Sequence, residues 1–176
     1  VIHMIRCFDS SDIQNVNPTV DPVRDLEIIE TEMKLADLES IQKRLEKNNK
    51  KNIDEDQIKI LQSSLDLINN DQDLTSLKSE FTKKQLNLSG LLSLKPKIFV
   101  CNVDEKSVQN GNSYTKSFLE KFGLENTLII SADIENQINE LNSDERIKYM
   151  EMIGLKDTGL DMLIKKGYKI LELETF

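Results

Sequence analysis

Three short apolar runs constrain this chain more than any other feature. They are Val1 to Phe8, Ile98 to Cys101 behind Pro96, and Leu128 to Ile130. Each is partly β-branched and too short for a stable helix, so each predicts a buried strand. Helical patterns separate and follow the last two. Tyr114, Phe118, Leu119 and Phe122 recur at helical spacing and stop at Gly123, Ser143 can cap a helix running to Gly154, and Thr158 to Asp161 opens another through Leu163, Ile164 and Tyr168. Strand, helix, strand, helix with unalternating apolar strands predicts an α/β fold: a parallel sheet with helices on both faces.

A long helical segment interrupts that plan. Residues 9–20 read as a polar loop, after which Asp21 is a suitable N-cap and Pro22 falls at the first helical position, where its missing N–H costs nothing. Ile28, Leu35 and Gln42 form one seven-residue series, and Thr31, Leu38 and Leu45 a second, which predicts a short coiled-coil seam. A polar turn from Asn48 to Asn52 follows. Asp54 with Gln57 then suggests a capping box for a second helix, along which Ile58, Leu61, Leu65 and Ile68 line one face. The two stripes predict an antiparallel hairpin, neither stripe wide enough for a globular core. After a polar stretch at 69–76, Thr82 to Gln85 is a capping box ahead of Leu86, Leu88, Leu91 and Leu92.

With 31% charged and 38% apolar residues, the composition suits a helix-rich chain with a modest core. A net charge of -8 argues against general attraction to nucleic acid or anionic membrane. No apolar run approaches the roughly 18–20 residues that span a bilayer, and the N-terminus lacks a signal-peptide pattern. Cys7 and Cys101 sit in β-like runs and read as buried, reduced thiols. These features predict a cytoplasmic protein. The chain opens as a strand at Val1 and stops on the apolar, β-prone LELETF, which suggests an internal fragment.

Ligands of open parallel sheets bind beyond the carboxyl ends of the strands. Asn102-Val103-Asp104-Glu105 and Ser131-Ala132-Asp133 occupy two such ends. P-loop GTPases read their base in this way, with Asn-Lys-x-Asp after one strand and Ser-Ala after the next. The Asn amide can bond a purine edge while tying the loops together. The terminal Asp accepts two hydrogen bonds from guanine, which adenine cannot supply. Here Glu105 replaces that Asp and Val103 the Lys. Both changes weaken a guanine clamp, and Val103 could instead offer backbone groups and an apolar flank.

Arg6-Cys7-Phe8, Val20 to Asp25, Ala36-Asp37-Leu38-Glu39, Lys43 to Lys47, Asn102-Val103-Asp104-Glu105, Gly167-Tyr168 and Leu171 to Phe176 together resemble the YchF (Obg-like) family of P-loop ATPases, in order and spacing along nearly the whole chain. The resemblance implies an ATP-hydrolysing, ribosome-associated protein that uses ATP and Mg²⁺, with GTP as the alternative nucleotide. On that reading Asn102, Val103 and Glu105 contact the base, supported by Ser131 and Ala132, while Asp133 stands where a Lys is common. The implied division is residues 1–24 in the nucleotide-binding domain, 25–94 a helical coiled-coil insertion, 95–170 the rest of the nucleotide-binding domain, and 171–176 the lead-in to a C-terminal TGS domain. No Gly-x-x-x-x-Gly-Lys-Ser/Thr occurs in the chain. No catalytic residue or metal ligand is therefore assigned, and the segment alone is expected to hydrolyse nothing.

Lys43, Arg44, Lys47, Lys50 and Lys51 cluster near the hairpin turn. They read either as a solvated helix end or as a contact for ribosomal RNA phosphates. The second reading makes the segment an RNA- or ribosome-binding helical module with GTP or regulatory nucleotide binding; no DNA specificity or membrane contact is expected. His3 reads as a core residue, and Asp21, Arg24 and Asp25 as capping and local pairing.

Overall fold

A computed structural model describes residues 1–10, 19–48 and 54–174. The chain divides into two compact units, Val1–Leu26 with Pro96–Phe176 and Glu27–Lys95.

The first unit is built on strands β1 (Ile2–Arg6), β2 (Ile98–Asn102) and β3 (Thr127–Ile130). They form a parallel sheet in the order β1-β2-β3. Ile5 pairs with Cys101, Arg6 with Asn102, and Asn102 with Ile130. Alternation along the strands then sorts side chains between the two faces. Ile5, Cys7, Phe99, Cys101 and Val103 turn to one face and pack with Leu26 and Phe118. The rings of Phe99 and Phe118 meet edge-on at 5.7 Å, a geometry that aromatic quadrupoles favour. His3 is buried and stacks on Phe99 at 5.7 Å, as a core residue.

On the other face Ile98, Val100 and Ile130 pack against Met162, Leu163 and Ile170. That cover stops at β2. Ile2 and Met4 are 54% and 58% exposed, so β1 is half-buried rather than buried throughout. No described helix lies over its second face.

The helices of this unit are α4 (Ser113–Phe122), α5 (Ala132–Glu140), α6 (Ser143–Met152) and α7 (Gly159–Leu171). Local chemistry starts and stops them. Asn112 and Thr115 form a reciprocal capping box at α4, and Gly123 ends that helix at φ 77°, which a side chain would resist. Asn142, not Ser143, caps α6, forming its box with Glu145. Thr158 Oγ1 accepts the Asp161 N–H at 3.0 Å and caps α7. Leu171 is the last helical residue, followed by Glu172 in a left-handed conformation. The β-prone reading from Leu171 therefore fails at its first residue, because that leucine completes a helical turn.

The preceding helices are α1 (Pro22–Asn48), α2 (Glu55–Asn69) and α3 (Lys83–Ser89). Asp21 Oδ1 accepts the Arg24 N–H at 3.0 Å, so Asp21 is the cap of α1. Within the second unit, Lys34 Nζ lies 3.7 Å from Asp71 just beyond α2, so α2 runs back antiparallel to α1.

The predicted seam is the buried face only in part: Leu45 packs beside Ile41, Leu61 and Leu91, but the first series lies outside. Ile28 and Leu35 are 42% and 59% exposed, whereas Asp37 and Ile41 are buried. The partner is broader than one helix. Ile41 packs with Leu61 and Leu91, while Ile60 packs with Leu74, Leu77 and Leu86. Consecutive residues of α2 thus feed two clusters, and the unit has a core of its own. Leu74–Ser79, which begins inside the stretch at 69–76 read as polar, forms a 3-10 turn that contributes Leu74 and Leu77 to it. Asp54 makes no side-chain capping bond. Gln57 Nε2 donates instead to Gln85 O at 3.0 Å. Thr82 and Gln85 form the expected reciprocal box at α3.

Candidate functional site

Two loops leave the carboxyl edge of the sheet, one after β2 and one after β3. Val103 N–H donates to Ile130 O at 2.9 Å, so the ladder extends one residue beyond β2. Asn102 Oδ1 accepts the Ala132 N–H at 2.9 Å. This bond fastens the first loop to the first residue of α5. It uses the acceptor end of the amide and leaves the nitrogen to donate, the division of labour that a base-reading Asn requires.

Ser131 is buried, and its hydroxyl accepts the Ile134 N–H at 3.5 Å as the N-cap of α5. Its side chain therefore shapes the loop without facing a ligand. Asp133 is exposed in the first turn of α5, where a negative charge suits the helix dipole.

Val103 departs from expectation. Its side chain is 1% exposed and packs in the core cluster that includes Cys7 and Phe118. Strand alternation carried one residue past β2 turns it inward, so its side chain offers no apolar flank at the sheet edge.

Glu105 opens a short 3-10 turn, Glu105–Ser107. Gln137 of α5 donates through Nε2 to Glu105 Oε1 at 2.5 Å. The Tyr149 hydroxyl of α6 in turn donates to Gln137 Oε1. Asn102 and Glu105 are both anchored on α5, the first at its opening residue and the second through Gln137.

The end of β1 is tied to the same edge. Cys7 N–H donates to Asn102 O at 2.8 Å. Asn112 Nδ2 donates to Cys7 O at 2.7 Å. Cys7 and Cys101 are buried free thiols. The sulfur–sulfur hydrogen bond, and then burial, push the Cys7 thiol far above its ordinary value. It stays protonated and serves packing.

The chain is 34% identical over 188 residues to the ribosome-binding ATPase YchF of Bacillus subtilis, covering all of this chain and 51% of that protein. The Escherichia coli O157:H7 relative of the same name is 32% identical over 182 residues, covering 99% of this chain and 50% of its own length. The chain belongs to the YchF family. No family profile matches it. A solved structure of the Schizosaccharomyces pombe YchF GTPase superposes with a TM-score of 0.74 at 24% identity, over 97% of this chain and 49% of that one. This likeness shows that the α/β sheet with its helical insertion is the YchF fold. The chain spans about half the length of the curated relatives it matches.

The residues of the basic cluster have different surroundings. Lys43 Nζ pairs with Glu39 at 2.5 Å, on an exposed turn of α1. Arg44 is committed inward: its Nη1 donates to Ser89 O at 2.5 Å. Lys47 is exposed, while Lys50 and Lys51 lie outside the described residues. Among the described residues no group of three His, Cys, Asp or Glu side chains could hold a metal ion.

Sequence reasoning missed Glu135, Gln137 and Tyr149. Ile134 and Ile138 are four apart after Ser131-Ala132, a spacing that could have revealed α5. Which of its residues meets Glu105 depends on how the helix docks.

Proposed function

We propose that this chain carries the purine-base-reading part of an ATP-hydrolysing, ribosome-associated YchF protein, with Asn102, the Val103 backbone and Glu105 at the base edge and Ser131 and Ala132 supporting them. The observation that carries this reading is the 2.9 Å bond from Ala132 N–H to Asn102 Oδ1, which joins the loops after two adjacent parallel strands. The Asn102 amide nitrogen is left to meet an acceptor on the ring, and the exposed Glu105 carboxylate to meet an amino group. A guanine-reading site would instead need a carboxylate held for two parallel N–H donors. Phosphate handling, Mg²⁺ and the attacking water are assigned to the part of the intact protein that carries a P-loop, so this segment alone turns over no ATP.

The test is competition between ATP and GTP for the intact protein. Glu105→Asp shortens the carboxylate toward the guanine-reading form, and one hydrogen bond gained or lost corresponds to about 1 kcal/mol, or roughly fivefold. The ATP-to-GTP affinity ratio should fall by about that factor. An unmoved ratio would remove Glu105 from the base site. Val103→Lys is unsuitable, since it would bury a charge in the core.

A second reading has its own support. Residues 27–95 form a compact unit with two apolar clusters, as an independent docking element would. In that role the exposed Lys43 and Lys47, with Lys50 and Lys51, would meet ribosomal RNA.

A further inference from the structure

We propose that Gln137, oriented by Tyr149, is a specificity-determining positioning residue: it holds one oxygen of Glu105 and so favours adenine over guanine. This rests on the reading that Glu105 faces a purine.

A carboxylate can only accept, so the Gln137 amide must turn its nitrogen toward Glu105. The 2.5 Å contact from Nε2 to Oε1 meets that demand. The other end of the amide is fixed as well, because the Tyr149 hydroxyl donates to Gln137 Oε1. Rotating the amide by half a turn would set its carbonyl against the carboxylate, so Glu105 selects the orientation, and the Tyr149 hydroxyl completes it by donating to the carbonyl that is then turned toward it.

The consequence for recognition is geometric. Guanine offers two adjacent parallel donors, N1–H and the 2-amino group, and clamping them needs both oxygens of one carboxylate turned to the ring edge. With Oε1 turned to α5, only Oε2 is left to face the base. Adenine needs no more, since its 6-amino group is a single donor beside an acceptor nitrogen. The longer side chain of Glu105 makes this possible, because it can reach sideways to α5 while its second oxygen points outward. Discrimination is thus shared among Glu105, Gln137 and Tyr149, which are brought together from the 3-10 turn after β2, from α5 and from α6.

The experiment uses the intact protein with a fluorescent ATP analogue displaced by ATP or by GTP. Gln137→Leu and Tyr149→Phe should each lower the ATP-to-GTP affinity ratio about fivefold, while affinity for ATP changes less than about twofold. Losing a merely structural contact would weaken both nucleotides alike and leave the ratio in place. In a Glu105→Ala background, Gln137→Leu should have no further effect, since its influence passes through that carboxylate. If Glu105→Ala shifts the ratio but neither Gln137→Leu nor Tyr149→Phe does, this inference is overturned and the base-site reading stands. If Glu105→Ala itself changes nothing, both fall. Tyr149→Phe removes one oxygen from a half-buried side chain, so it provides a folded variant should Gln137→Leu prove unstable.

Discussion

At Gly159 a single hydrogen atom decides whether two elements can meet. Its N–H donates to Glu135 Oε1 at 2.6 Å, and the next N–H, from Leu160, reaches Oε2 at 3.1 Å. One carboxylate of α5 thereby satisfies two of the orphan donors at the start of α7, beside the Thr158 cap, in the place where the helix dipole favours negative charge. A Cβ at Gly159 would lie 2.6 Å from Ile130 Cγ2 and 2.9 Å from Glu135 Oε1. Ile130 is a buried strand residue with little room to move, and Glu135 could turn aside only by giving up its two bonds to α7. Gly159→Ala should therefore destabilise the unit built on the sheet by about 1–3 kcal/mol, the usual cost of overpacking. Urea unfolding would register this as a lower midpoint with an unchanged slope; a midpoint equal to that of the parent would show that the contact relaxes freely.

Among the elements, α1 carries the clearest case of a polar side chain organising an apolar interface. Asp37, buried, accepts the N–H groups of Leu92 and Ser93 at 2.7 and 2.8 Å. Arg44, two turns further along, holds Ser89 O. Together they clasp the segment that leads out of α3 and brings Leu91 against Ile41 and Leu61. Asp37→Ala would strand two backbone donors, and charge-assisted bonds of this kind are worth about 1.5–3 kcal/mol. The expected result is a loss of about 2–3 kcal/mol, with faster amide exchange at Leu92 and Ser93. Protection unchanged at those two amides would contradict it. The same geometry removes Arg44 from the set of cations available to a partner.

The molecule as a whole is acidic, with a net charge of -8, so any RNA contact must be local. Reversing Lys47, Lys50 and Lys51 to Glu in the intact protein should weaken cosedimentation with ribosomes, most strongly at low salt, where counterion release makes each phosphate contact worth most. Cosedimentation unchanged at low salt would rule the cluster out. No described helix is long and apolar enough to cross a membrane. Much of the architecture was legible in the chain. Asp21, Thr82 and Thr158 cap where their local chemistry predicts, and the apolar runs at 98–101 and 128–130 are strands. Such signals act over three or four residues and need no knowledge of the rest. The buried face of α1 was only partly legible, because a helix with apolar residues on several sides turns whichever side its partners can use, and those partners include Leu91 and the 92–93 backbone. Val103 was likewise misread, since a loop residue's side is set by the strand that ends before it. Glu105 meets Gln137 across 32 residues of chain, and Gln137 meets Tyr149 across 12. Sequence alone determined which segments become strands and helices and that two loops end at one sheet edge. Only the docking of α5 and α6 on that edge decided which side chains stand behind Glu105, because contacts between separate elements are fixed by packing rather than by neighbours along the chain.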